Sequence, residues 1–203
     1  MTATKLVWRV RPASLPKVLR HCPRCELKRE YVSTDKFRIN GHQSRIDVWL
    51  IYQCRVCKFT WKLTLFTRVL PSSIDPDLFD KFTRNDAATA HRYACDESLI
   101  RRAGGQLEGA VRYGIEGDDL DVSHGGTATI FFDLEAPIEV RLEAAIAKKL
   151  GISRAQVESM IERGTIAAVG RKMPKKLAHG LELRVDLADL GAVLAAKKEH
   201  EEP

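Results

Sequence analysis

The chain of 203 residues carries 33 Lys+Arg against 27 Asp+Glu, a formal net charge of +6, with 44% hydrophobic residues and five cysteines. That length holds one ordinary domain or two to three small ones with modest cores. Charge or proline interrupts every apolar run in the opening stretch and no later run reaches membrane-spanning length, which argues against a targeting helix or membrane protein and predicts a cytoplasmic one.

Charge is uneven along the chain. Residues 1–70 hold 15 Lys+Arg against 4 Asp+Glu, residues 71–135 hold 6 against 13, and residues 136–203 hold 12 against 10. A front segment of that sign attracts polyanions, nucleic acid first; the alternative is a solvated charged surface.

The first motif is "CPRC" at Cys22 and Cys25, answered by "CRVC" at Cys54 and Cys57 after 28 intervening residues. A reducing compartment and an odd cysteine count argue against a disulfide framework. A redox dithiol is usually one C-x-x-C opening a helix, whereas these two pairs flank a strand-rich segment. Four thiolates at this spacing match one structural, tetrahedral Zn²⁺. The fifth thiol, Cys95, has no partner nearby and reads as a small buried hydrophobe.

Between the pairs, "EYVSTDKFRIN" and "SRIDVWLIYQC" flank Asn40-Gly41, which predicts a hairpin turning there, and "KFTWKLTLFTRVL" supplies a third strand. Alternation places Ile46, Val48, Leu50 and Tyr52 on one face with Phe59, Trp61, Leu63, Leu65 and Val69, the buried side of a three-stranded zinc ribbon. The opposite face collects Arg38, Arg45, Trp49, Lys62 and Arg68, which can hold phosphates and stack a base. Trp49 has a second option, packing beneath a neighbouring segment.

Beyond Pro71 the pattern turns helical, with "DPDLFDKFTRND" and then one helix over "AATAHRYACDESLIRRAGG" that stops at its two glycines. His91 lies there without a second ligand at metal spacing and reads as a packing or surface histidine. Two short strands, "GAVRYGIE" and "TATIFFDLE", enclose a loop bearing Asp118, Asp119, Asp121 and His124. Those are metal-ligating residue types, but they lack the regular spacing and terminal Glu of an EF-hand, so the loop reads as solvated.

The C-terminal stretch predicts two helices followed by strands. Leu142, Ile146 and Leu150 recur every four residues and Gly151 closes the first helix. Ser153 is the N-cap of the second, Gln156 its reciprocal capping-box partner, Ile152 staples against Val157, and Gly164 ends it. "TIAAV" and "LELRVDL" follow as strands, with Leu181, Leu183, Val185 and Leu187 turned inward.

Arg141-Leu142, "KLGISRAQVESMIERG" and "LAHGLELRV" together resemble the αL RNA-binding module of a small-subunit ribosomal protein, pseudouridine synthases, tyrosyl-tRNA synthetases and a heat-shock ribosome-rescue protein, over roughly residues 138–187. That resemblance implies RNA contacts at Lys148, Lys149, Ser153, Arg154, Arg171 and Lys172. Free N–H groups at the start of the second helix, with Arg154 beside them, supply a physical reason for phosphate binding there. The first hundred residues resemble an uncharacterised bacterial zinc-ribbon family without assigned activity, through "CPRC", "FRING", "RIDVWLIYQC", "CKFTWKL" and "RYACDESLIRR".

The expected fold is α+β: a zinc ribbon over 1–70, a helical and mixed region over 71–135, an αL-like module over 136–190 and a charged tail over 191–203. The expected function is non-enzymatic nucleic-acid binding, to structured RNA or the ribosome, with DNA a further option at the ribbon. The alternative is a protein-interaction adaptor. An enzyme is not expected, because no nucleophile motif, phosphate-cradling loop or metalloprotease helix is present.

Overall fold

The computed structural model describes residues 4–201, with the side chains of 4–196; residues 1–3 of the expected front module and Glu202 and Pro203 of the expected tail lie outside the described residues. The chain runs β1 (Thr4–Pro12), β2 (Val18–Cys22), β3 (Leu27–His42), β4 (Arg45–Cys54) and β5 (Thr60–Val69). A 3-10 turn at Pro71–Ser73 leads into α1 (Pro76–Thr83), α2 (Ala87–Ala94) and α3 (Glu97–Arg102). Next come β6 (Gln106–Leu107), β7 (Tyr113–Glu116), β8 (Thr127–Leu134), α4 (Leu142–Leu150) and α5 (Arg154–Glu162). The chain finishes with β9 (Ile166–Ala168), β10 (Leu181–Asp186) and α6 (Leu187–Glu201), so most of the expected tail is helical.

This α+β chain forms two compact units, each built on a five-stranded sheet. One unit is Pro12–Arg112 with Ala136–Ile138; the other joins the first strand to Tyr113–Glu135 and the segment from Glu139 onward. Composition marks breaks at 70, 135 and 190, whereas the units follow strand pairing. The helices after Pro71 therefore belong with the cysteine-bearing sheet, and the first strand does not.

In the inner unit the strand order is β5-β4-β3-β2-β6, two strands more than the sequence predicts. Val18, Tyr31, Leu50, Tyr52, Trp61 and Leu63 turn one face toward Phe82, Ala90 and Ile100 of the helices. The side chains of Asp75, Asp86 and Asp96 each accept a backbone N–H three residues on, capping α1, α2 and α3. That last cap explains why the single helix expected after Asp86 is two: Cys95 ends α2 and Asp96 starts α3.

The β3–β4 hairpin turns at Gln43-Ser44, not at Asn40-Gly41, which instead pair with Asp47 and Ile46 inside the ladder. The cause is register. Turning at Gln43 sets Phe37 against Leu50 and Ile39 against Val48, matching the apolar faces of both strands. Gln43 takes a φ of 55° to make the tight connection. In β5 an irregularity beside Leu65 puts Phe66 opposite Val48, where it meets Phe82 edge-on at 5.9 Å, and Phe59 is left 41% exposed rather than buried.

The other sheet has the order β7-β1-β8-β10-β9, with β1 parallel to β8 and β10 antiparallel to both β8 and β9. Trp8 and Val10 are buried while Lys5 and Arg9 are exposed, a period-two pattern hidden by the charges between them. Trp8 meets Phe132 edge-on at 5.6 Å. The helix punctuation follows the sequence: Gly151 caps α4 at φ 66°, Ser153 and Gln156 form the reciprocal cap of α5, and Gly164 follows α5 at φ 80°. Ile152, Val157, Leu181, Leu183, Val185 and Leu187 are all buried.

Candidate metal centre and basic faces

Both C-x-x-C segments form hairpin tips, one joining β2 to β3 and the other β4 to β5. The tips share one geometry. Glu26 N–H donates to the Cys22 carbonyl at 2.8 Å and Lys58 N–H to the Cys54 carbonyl at 3.0 Å, and these two donor residues adopt φ of 56° and 61°. Because β3 and β4 are neighbours, with Tyr31 opposite Cys54 and Leu27 opposite Cys22, the two tips converge at one end of the sheet.

The four Sγ atoms lie within 4.8 Å of one another, with Cys22–Cys57 at 3.4 Å and Cys25–Cys54 at 4.0 Å. A tetrahedral ion with metal–sulfur bonds of about 2.3 Å needs sulfur–sulfur edges of about 3.8 Å, so the donor set fits one metal ion. Cys22 and Cys54 are fully buried. Burial pushes the Cys22 thiol up, but donors from the Tyr31 hydroxyl, the Cys25 N–H, the Cys57 thiol and the Arg24 N–H outweigh it and bring it down to about 6. Cys54 is likewise lowered: burial opposes, and the N–H groups of Cys57 and Val56 prevail. Cys25, hydrogen-bonded foremost to Cys57 and then raised further by burial, is pushed up to about 12. Each tip thus supplies one sulfur held toward the thiolate, Cys22 by Tyr31 foremost with its tip's backbone, Cys54 by its tip's backbone.

Cys95 stands apart from the cluster, buried, with its thiol pushed up to about 11 by that burial. The acidic loop does not converge on an ion. Asp119 pairs with Lys149 at 2.6 Å, and Asp121 and Ser123 both address the same His124 nitrogen, Nδ1. His91 sits on the surface, 3.3 Å from Asp35.

On the open face of the inner unit's sheet, Arg38 is directly opposite Trp49, and the Lys62 ammonium is 4.8 Å from the Trp49 ring centre. Among the described residues neither Arg38 nor Lys62 has a carboxylate partner, and Trp49 is half-buried. Arg45 and Arg68 are used differently. Arg45 donates to the Arg68 carbonyl at 2.8 Å, and the Arg68 N–H donates to Asp47 at 2.9 Å, which fastens the ladder where Arg68 has a φ of 47°.

The C-terminal candidates separate in the same way. Lys148 donates to the Tyr113 carbonyl, with its ammonium 4.6 Å from that ring's centre. Lys149 donates to the Gly117 carbonyl at 2.8 Å and lies 5.7 Å from the Trp8 ring centre, leaving its side chain 12% exposed. Ser153 has its hydroxyl committed to the Gln156 N–H. Arg154, Arg171 and Lys172 are exposed. Sequence reasoning missed Tyr31 as a donor to Cys22, since no spacing rule links a strand tyrosine to a cysteine nine residues before it. It also missed Asp119 as the partner of Lys149, a pair that forms only through long-range packing.

The family described as "Protein of unknown function (DUF1062)" matches residues 39–172. The chain belongs to that family. In this DUF1062 member the matched span contains Cys54 and Cys57, the three helices α1–α3 and the α4–α5 pair, while Cys22 and Cys25 precede it. No curated protein and no solved structure matches the chain.

Proposed function

We propose that the protein is a non-enzymatic nucleic-acid-binding protein in which one structural Zn²⁺, held by Cys22, Cys25, Cys54 and Cys57, staples a zinc-ribbon sheet whose open face grips single-stranded segments of a structured RNA, free or in the ribosome. One observation carries the reading: Trp49, flanked by Arg38 and Lys62, cations that no carboxylate of the described residues neutralises. The uncovered part of this half-buried indole offers a stacking surface and the flanking cations a backbone track, the combination used for unpaired bases. The α4–α5 pair resembles an αL module, and it contributes a second, weaker grip through Arg154, Arg171 and Lys172. Two linked weak contacts raise the effective concentration at each other.

Zinc supplies fold here, not chemistry, because four cysteines leave no open position for substrate or water. The Asp121–Ser123–His124 group lacks the geometry of a catalytic relay, since Asp121 and Ser123 meet the imidazole at one nitrogen and the second nitrogen has no partner among the described residues. Five free cysteines suit a reducing, cytoplasmic setting.

The test is ultraviolet crosslinking in cells followed by sequencing of the attached nucleic acid. Enrichment of a defined RNA with crosslinks at Trp49 supports the reading; attached DNA moves the target but keeps the face; recovery equal to a non-binding control refutes nucleic-acid binding. A protein-adaptor reading rests on a different observation. Leu27 and Val56 are 55% and 64% exposed beside the cysteine tips, an apolar rim suited to docking, and that reading takes over if crosslinking fails.

A further inference from the structure

Arg20 and Arg29 stand directly opposite each other across the β2–β3 ladder. Paired residues share a face, and here it is the face that carries Cys22 and Tyr31, so Arg29 is the diagonal neighbour of Cys22, roughly 7 Å away by strand geometry. Like charges in direct opposition destabilise a sheet. Arg20 is anchored: its Nη1 donates to the Ala103 carbonyl at 2.5 Å and its guanidinium lies 4.8 Å from the Trp61 ring centre. Arg29 has no such anchor. Its Nε is buried without a hydrogen-bond partner, and no carboxylate of the described residues pairs with either arginine. A buried, unanswered guanidinium nitrogen facing a second cation calls for negative charge nearby.

That charge is available if the cysteine cluster holds zinc. Four thiolates around Zn²⁺ carry a formal charge of about −2, equal and opposite to two guanidinium groups. We propose that Arg29, backed by Arg20, is the charge partner of the zinc tetrathiolate: a positioning residue whose cation offsets the negative charge of the four-sulfur site and thereby raises metal affinity. The inference rests on the four-cysteine zinc reading above. It also accounts for two arginines on the inward side of a sheet whose basic residues otherwise face solvent.

The experiment measures zinc affinity of the full chain by competition with a chromophoric chelator, for the wild type and for Arg29→Met, Arg29→Gln and Arg29→Lys. The two neutral variants should bind zinc at least about tenfold more weakly, the range usual for partners of metal ligands, and the lysine variant should retain most of the affinity. Cobalt substitution gives a second readout, in which loss of the neighbouring cation shifts the thiolate-to-metal charge-transfer band to lower energy in Arg29→Met but not in Arg29→Lys. Neutral variants within twofold of the wild type would overturn the inference, and so would equal weakening in all three, which indicates shape rather than charge. A wild-type chain that takes up no zinc, or a Cys54→Ser chain that keeps it, removes the zinc reading itself and this inference with it.

Discussion

Tyr31 pairs with Cys54 across the β3–β4 ladder while its hydroxyl donates to the sulfur of Cys22, so one buried residue links both cysteine tips. The tips are therefore positioned by the sheet as well as by each other. Substituting Cys54 by Ser removes one of four donors and leaves a buried hydroxyl where a thiolate belongs. Bound metal should fall from one ion per chain to less than a tenth of that, and the sheet of Pro12–Arg112 should lose its cooperative unfolding transition, because structural zinc contributes folding energy directly. Metal analysis and thermal denaturation of Cys54→Ser check both outcomes.

Acid should release the metal. The Cys22 thiol is depressed to about 6 and Cys54 is also lowered, so both favour the thiolate, and that preference is lost as pH falls through the folded value. Retention is thus expected at neutral and alkaline pH and release on acidification, with bound metal competing against protons and holding release below the metal-free thiol range, followed with a zinc indicator dye. Metal retention indifferent to acid, or release on raising the pH, would contradict this sign.

Replacing Trp49 by Ala should weaken binding to a single-stranded RNA oligonucleotide by about tenfold, consistent with about 1–3 kcal/mol per stacked base, while changing stability little because the ring is only half-buried. Lys62→Glu should weaken it further and reduce the slope of affinity against salt by about one contact. Fluorescence anisotropy at two salt concentrations measures both.

Two neighbouring basic positions on α4 and α5 should behave oppositely. Lys149→Met breaks the contacts to the Gly117 carbonyl and Asp119 and should destabilise the C-terminal unit by about 1–2 kcal/mol, the exposed Asp119 limiting the loss. Arg154→Glu, at an exposed helix start, should leave stability nearly unchanged and weaken RNA binding. Denaturant unfolding and binding measured on both variants separate the roles; unaltered binding by Arg154→Glu would remove the helix pair from the mechanism.

Removing the hydroxyl in Ser153→Ala should cost about 1 kcal/mol, since the Gln156 N–H loses its acceptor inside a reciprocal cap. Denaturant midpoints report it directly.

What the residues disclosed in advance were features decided locally. The cysteine spacing, the Ser153–Gln156 cap, the glycine stops at 151 and 164 and the alternation from Leu181 to Leu187 each depend on neighbours a few positions away, and each recurs in the structure. The turn at Gln43 was not legible because cross-strand matching of Phe37 with Leu50 outweighs the local preference of Asn40-Gly41. The partner of β1 was not legible either, since Thr4 pairs with Ala128 and no local signal reports so distant a contact. At the candidate interface, the αL resemblance implied RNA contacts at Lys148 and Lys149, and it held no signal that long-range packing ties their ammonium groups to Tyr113, Gly117 and Asp119.

The split of the second unit along the chain bears on how the molecule is made. The strand Thr4–Pro12 is translated more than a hundred residues before its parallel neighbour β8 and the next strand, β10. Pro12–Arg112 is continuous, so nearly all of its sheet and all three of its helices are available while β1 still lacks a strand to pair with. During synthesis the cysteine-bearing unit can fold before the other sheet can form, and β1, which lies between β7 and β8 in the finished sheet, must stay unpaired through that interval. The charges alternating with Trp8 and Val10 give that waiting strand the means to resist aggregation.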